Sequence, residues 1–563
     1  MRYSKRYITF TLIVVILLFI KLNTWSEDYS EVVAFRGAQL EDGVFYPLIA
    51  KSVNEDAMIT FQMDGNEVSF DKDQLYVNDQ MQVMASTEFV SKYLACSVHV
   101  YSNKKYEVQR GNTIYHLTLN EKAAQKGSEN MELSSAPIQE NDIYYLPLSD
   151  LCSMFGYDYI WDPLNYKVSI ASENAKEAML PSSYDLRNKN RVSSIRDQGT
   201  ENTCWAYAAI GSIESSLLPE TNRSFSPAKL VKDRAYTYVD KTGGDYSLAL
   251  ANFLSWKGPV TEKSSKVTEH VQEVHFYNGD DIDDIKWAVF QNGGVSTSIY
   301  ASLSNAMMHS SSYYNAKTNA YCYTGSMEPN HDVIIVGWND DYSATNFNGM
   351  VHGKGAFICQ NSWGSDFGDD GVFYVSYYDT NIGDQSVSYA KIQPKDNYDT
   401  IYQSDLSGWT GQIGYSKENV MAANIYTAKE DEMLQAAGFY TLGKNTTYEL
   451  YLVSDYTDVN SLANRKLVSS GVIKDAGYYT IPLEQEALLT KGTKFAVIVS
   501  LTTPGLRRPM AIEYQSARMA EAVDLTDGEG YISKNGLEWD SVEQMSQGNL
   551  CLKAYGNRYT IEE

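Results

Sequence analysis

The chain has 563 residues, 43% of them hydrophobic, and a formal net charge of -25 at pH 7. That length exceeds what one core serves and predicts about three or four domains. So acidic a chain has little basic surface to neutralise phosphates, which excludes nucleic acid as a partner. Six cysteines at positions 96, 152, 204, 322, 359 and 551 form no CxxC pair. The spacing argues against a zinc site and against a dense disulfide framework. Cys322 and Cys359 leave room for one bridge, but buried free thiols are the expectation.

In chain order, Arg2, Lys5 and Arg6 precede the apolar run 8–20, which has the length of a secretory h-region. Residues 1–25 read as a signal peptide or, because no small-x-small cleavage site comes after the run, as an uncleaved signal anchor. Basic residues ahead of such a run direct the downstream chain outward, so the expectation is an extracytoplasmic protein, secreted or held at the membrane.

Residues 61–172 carry a weak internal repeat. One copy contains Met84-Ala-Ser-Thr-Glu-Phe-Val and then Lys105-Tyr-Glu-Val; the other contains Tyr145-Leu-Pro-Leu-Ser-Asp-Leu and then Asn165-Tyr-Lys-Val. Each predicts a short strand, a helix with a Ser/Thr start signal and two further strands. With Phe155-Gly-Tyr and Trp161-Asp-Pro, the second copy resembles the domain named after the N-terminus of copper amine oxidases. That resemblance implies a stalk-like surface or spacer module. No histidine cluster accompanies it, so no copper is expected. Residues 173–180 read as a linker and a candidate site of proteolytic activation.

The densest chemistry begins at Gln198-Gly-Thr-Glu-Asn-Thr-Cys204-Trp205. A polar loop turns at Cys204 into an apolar run in which Ala206, Ile210, Ile213 and Leu217 keep helical spacing. A cysteine at a helix N-terminus meets unpaired N–H groups that favour the thiolate, the nucleophilic form. Such a nucleophile needs a base, and His331 opens an apolar strand pattern 127 residues later (331 − 204). Asn361 is suited to accept the second imidazole N–H and fix the tautomer. Trp363 is placed to shield that bond, and Gln198 to donate to an oxyanion.

Five segments in order then resemble the papain family of cysteine peptidases. They are Leu180-Pro-Ser-Ser-Tyr-Asp-Leu-Arg187, Gln198 with Cys204-Trp205-Ala206, Gly243-Gly244, Asn330-His331, and Asn361-Ser-Trp-Gly. The resemblance implies a two-lobed domain over 181–397, with Cys204, His331, Asn361 and Gln198 catalytic. It implies that Gly243, Gly244, Trp205 and Trp363 bind substrate, which is a protein or peptide, without cofactor or metal. Four positions depart from the family pattern. Asn202 and Thr203 stand where many relatives have a disulfide-forming cysteine, Asn330 stands where many have aspartate, and Phe367 replaces a second tryptophan. The family's long helical inhibitory segment is also missing upstream.

Asp280-Asp-Ile-Asp-Asp284 lacks the spacing of a calcium loop and reads as the acidic start of a helix. From 398 to 557, short alternating runs between Gly, Asn, Asp and Pro turns predict a β-sandwich. This region resembles the lectin-like domain appended to some bacterial papain-type peptidases, which implies a cell-wall or surface glycan as partner. Trp409 and Trp539 are candidates for stacking on sugars, with core packing the expected role of each.

The expected fold class is α+β: a papain-like two-lobed peptidase domain flanked by a small α+β repeat domain and a C-terminal β-sandwich. The expected function is an extracytoplasmic cysteine endopeptidase acting through a thiolate–imidazolium pair and a thioester. The alternative is a catalytically silent surface adhesin on a peptidase scaffold.

Overall fold

The computed structural model describes residues 59–559 apart from short stretches, the longest being 101–104, 163–166, 172–179, 239–242 and 303–309. The expected signal segment, and all of the expected linker except Leu180, lie outside the described residues. Among the described residues no helix is long and apolar enough to cross a membrane.

The two repeat copies fold alike. Strand Val83–Ser86 leads into helix Thr87–Tyr93 and strands Ser97–Val100 and Lys105–Arg110; strand Ile143–Pro147 leads into helix Leu148–Phe155 and strands Asp158–Asp162 and Lys167–Ala171. The expected start signal holds only in the first copy. There Ser86 accepts the Phe89 N–H at 3.0 Å; the second helix comes after Pro147 with no side-chain cap. Phe61, Phe89, Tyr93, Tyr106, Leu146 and Val168 fill one core between them.

The middle of the chain has a helical half and a β-rich half. Helices Cys204–Leu217, Pro227–Lys232 and Tyr246–Leu254 make the first. Ser226 caps the second helix with Pro227 at its first turn, as its sequence requires. In the β-rich half, strand His331–Asn339 lies between Val295–Ile299 and Ala356–Gln360. Its residues are almost wholly buried, which is why it reads as a continuous apolar run. Helix Cys204–Leu217 packs directly on this strand: a Cβ at Gly211 would lie 2.3 Å from Ile334 Cδ1.

The C-terminal region is a sandwich. One face is a six-stranded sheet containing Thr446–Val453, Lys494–Thr502 and Asn419–Thr427. The other is made by Ala476–Leu489, Glu432–Thr441, Leu552–Arg558 and Thr400–Tyr402, and these strands continue the sheet of the middle region without a break. The join is antiparallel pairing of Glu269–Tyr277 with Ala476–Leu489, from Glu273↔Tyr479 to Phe276↔Ala476. All six cysteines are free and buried, so no bridge joins Cys322 to Cys359.

Candidate active site

Cys204 is the first residue of its helix, as the spacing predicts. The loop before it is clamped from below: Arg196 reaches Glu214 on the same helix through two bonds of 2.8 and 2.7 Å. Glu214 is 4% exposed, an acid inside an apolar helix face that periodicity alone does not single out. The clamp fixes the height of Gln198 two residues later. Gln198 donates its backbone N–H to Ser362 O at 2.8 Å, and its Oε1 accepts the Ser362 hydroxyl at 2.6 Å. With its oxygen held this way, the amide nitrogen faces the other side, where one N–H is donated to Glu201 O at 2.6 Å.

His331, the first residue of its strand, meets Asn361, the residue just after strand Ala356–Gln360. Nε2 of His331 lies 2.8 Å from Asn361 Oδ1. An amide oxygen can only accept, so the imidazole carries its proton on Nε2 and leaves Nδ1 as the basic nitrogen. Asn361 Oδ1 also accepts the Ser362 N–H at 2.8 Å, which fixes the flip of the amide. Trp363 stacks on the imidazole with ring centres 4.7 Å apart, and Phe367 meets Trp363 edge-on at 4.9 Å. Phe367 thus does the packing that a larger ring would do.

Backbone N–H groups of Asp332, Trp205 and Cys204 all lower the pKa of the Cys204 thiol, so the strand residue after His331 lies beside Cys204. The helix-start effect expected from sequence is therefore present, but it is outweighed. Burial first, and the Asp332 carboxylate second, push the thiol up to about 12. Burial likewise holds His331 down at about 4, against the bond to Asn361. A lone charge on either residue is disfavoured; moving the thiol proton to the imidazole creates both charges together, and their attraction offsets the loss of hydration.

Gly243 has φ +55°, a conformation that favours glycine, and Gly244 comes so near Trp205 that a Cβ would lie 2.5 Å from its Nε1. Trp205 is 1% exposed. Its ring supports the glycine pair from beneath, so its part in substrate binding is indirect. Of the eight residues singled out in the sequence, six therefore fall in two connected groups, Gln198–Asn361–His331–Trp363 and Trp205–Gly244. Cys204 and Gly243 adjoin the second group in sequence.

A cysteine at a helix start, a strand histidine oriented by an asparagine and a glutamine held by the residue after that asparagine are the parts of a hydrolase with a cysteine nucleophile. Residues 180–391 match the family model of papain family cysteine protease, residues 62–170 that of the copper amine oxidase N-terminal domain, and residues 401–556 that of the lectin like domain. The chain thus carries a papain-family cysteine peptidase domain between those two modules. Mouse cathepsin S is 29% identical over 221 residues, 36% of this chain and 60% of that protein. A cysteine protease of Blomia tropicalis is 27% identical over 258 residues, 39% of this chain and 70% of that protein. A crystal structure of the cysteine protease and lectin-like domains of Cwp84, a surface layer associated protein of Clostridium difficile, is 23% identical with a TM-score of 0.58. It covers 68% of this chain and 90% of that one. At this identity the likeness is one of fold.

Proposed function

We propose that the protein is an extracytoplasmic cysteine endopeptidase in which Cys204 and His331 react as a thiolate–imidazolium pair. The thiolate attacks the peptide carbonyl carbon. The developing oxyanion takes hydrogen bonds from the Gln198 side chain and the Cys204 backbone N–H. His331 gives its Nδ1 proton to the leaving amine, which departs and leaves a thioester. Water, deprotonated by His331, then attacks the thioester and frees the acid and the thiol. Gly243 and Gly244 offer backbone to the substrate chain upstream of the scissile bond.

The observation that carries this reading is the His331–Asn361 bond of 2.8 Å beneath the stacked Trp363. It selects the tautomer whose free nitrogen is on the other side of the ring. The basic residues ahead of the apolar run 8–20 support a position outside the cytoplasm, as does the likeness to a surface-layer-associated protein. The lectin-like module would then hold the enzyme at a cell-wall or surface glycan.

The test is labelling by a thiol-reactive epoxysuccinyl peptide, read by mass spectrometry. Modification confined to Cys204, and lost in His331→Ala, is expected. Modification only after removal of residues before Leu180 would mean a latent precursor. No modification in either form would favour the silent adhesin. Gln198→Ala should retain labelling while losing about 10²–10³-fold in kcat.

A further inference from the structure

The sandwich reaches the helical half of the peptidase domain at a second place besides the shared sheet. The chain leaving strand Met510–Tyr514 does not turn back at once; it crosses to residues 237 and 238. Tyr238 and Met519 form an antiparallel bridge, and Ala520 donates its N–H to Thr237 O at 2.8 Å. The Glu521 carboxylate completes the contact. One of its oxygens accepts the Thr237 N–H and the other the Thr237 hydroxyl, both at 2.6 Å. Thr237 thus has its carbonyl, its amide and its side chain all bound by one loop of the sandwich.

That loop is firm enough to act as a clamp. Val523 donates its N–H to Gln515 Oε1 at 2.8 Å, and Gln515 Nε2 donates to Glu521 O at 3.2 Å. Met519 is 5% exposed and enters the core that holds Trp205, Tyr238 and Leu248. Glu521 itself is exposed. An exposed acid gains little from a lone surface contact, but two charge-assisted bonds to one residue fix both partners.

The residues so held lead to the glycine pair. Tyr238 donates its hydroxyl to Asp245 Oδ2 at 2.9 Å, and Asp245 Oδ1 caps helix Tyr246–Leu254 by accepting the Ser247 N–H at 2.7 Å. The bond from Tyr238 to Asp245 closes the loop that ends in Gly243 and Gly244. A Cβ at Gly244 would lie 2.5 Å from Trp205 Nε1 and 2.7 Å from Leu248 Cδ1. The pair is therefore set by the core below it and by the tied residues on either side. Backbone groups that bind a substrate must keep their place to a fraction of an ångström.

We propose that the lectin-like module serves the cleft directly: Glu521 is a positioning residue that acts through Thr237 and Tyr238 to hold Gly243 and Gly244 where a substrate backbone meets them. This rests on the peptidase reading of the site. The glycine pair contacts the substrate before and during reaction alike, so loss of the clamp weakens binding and leaves the chemical step alone.

Epoxysuccinyl-peptide labelling of Cys204 in the full chain tests this, with the concentration for half-maximal rate read apart from the maximal rate. Glu521→Ala should raise that concentration about five- to tenfold, the worth of one hydrogen bond to the substrate, at an unchanged maximal rate. Iodoacetamide, too small to span from Cys204 to the glycine pair, should label Cys204 at the wild-type rate. Glu521→Gln should behave as wild type, because an amide can accept the Thr237 N–H and donate to its hydroxyl. Tyr238→Phe keeps the ring in the core, removes the bond to Asp245 and should weaken peptide binding in the same way. Unchanged peptide binding in Glu521→Ala overturns the proposal. An equal slowing of iodoacetamide overturns it too, as general loosening of the site, and so does a glutamine variant as weak as alanine, which would assign the effect to charge. If the alanine variant fails to fold, unchanged binding in Tyr238→Phe overturns it instead. No labelling of the wild type by the peptide overturns the peptidase reading itself, a distinct failure.

Discussion

The peptidase domain meets its two flanking modules in different ways. On the C-terminal side the join is a shared sheet: Glu273 to Phe276 pair with Ala476 to Tyr479. Trp409 and Tyr440 from the sandwich enter the same core as Trp205, Phe253 and Phe276. On the N-terminal side one helix carries most of the contact. Trp287 inserts into the core of the repeat domain, with Lys92 Nζ 3.9 Å above its ring and Tyr93 edge-on at 5.6 Å. The sandwich thus completes the peptidase core, whereas the repeat domain has its own core and leans on Trp287, with Phe290 and Leu180 beside it. Helix Cys204–Leu217 belongs to the first arrangement, because Trp205, Ala206 and Ile210 share the core that Trp409 closes.

The largest test of that difference is truncation. Removing residues 398–563 turns Glu269–Tyr277 into an edge strand and uncovers Phe276, a combination that favours aggregation. The truncated chain should yield no cooperatively melting peptidase. Removing residues 1–178 instead should leave a cooperative transition within about 10 °C of the full chain. A stable peptidase without the sandwich would break the comparison.

A point substitution sharpens it. Trp409 is buried against Phe276 at 5.8 Å and Tyr440 at 5.6 Å between ring centres. Trp409→Ala should cost about 3–5 kcal/mol, read as one shifted transition in urea. Two resolved transitions would mean that the sandwich and peptidase unfold independently.

Trp409 also marks what the sequence can and cannot reveal. Cys204, His331, Asn361 and Gln198 are legible because the proposed chemistry needs those side chains at nearly fixed spacing, and Cys204 and His331 each open a clear apolar pattern. The repeat helices are legible because both are local. The shared sheet is not: Glu273 and Tyr479 are about two hundred residues apart, and strand pairing at that distance leaves no local trace. Composition allows Trp409 and Trp539 either core packing or sugar stacking, and the structure packs both against apolar clusters, Trp409 in the seam itself.

The acidic run 280–284 is a helix start, as its sequence predicts, and it is also a docking site. Helix Ile282–Asn292 begins there. Asp281 and Asp284 lie 2.6 and 3.1 Å from Lys444 Nζ, and Lys474 reaches Asp284 at 3.1 Å. These pairs are partly exposed, so Lys444→Ala should cost about 1–2 kcal/mol, between the values for surface and buried pairs. Burial alone would lower the Lys444 pKa, but Asp284 and Asp281 outweigh it and the value is raised. The contribution is therefore fully present below the unfolded lysine value of about 10.4. It is lost as the pH rises through the higher folded value. Wild type and Lys444→Ala should differ in urea midpoint at pH 8 and converge in strong alkali. A constant difference across that range would assign the effect to packing of the lysine stem instead.

The smallest expected effect tests the N-terminal anchor. Lys92→Met keeps the stem of the side chain and removes the cation over Trp287, which should cost about 0.5–2 kcal/mol. Because the repeat domain closes its own core around Phe61, Phe89 and Tyr93, the loss should be felt between the domains more than within either. Amide exchange should quicken in helices Thr87–Tyr93 and Ile282–Asn292. The rate of epoxysuccinyl labelling at Cys204 should stay unchanged, because no described residue of the repeat domain enters the core behind the nucleophile. A labelling rate that moved with Lys92 would instead couple the repeat domain to the active site, and would make it a regulator of the peptidase.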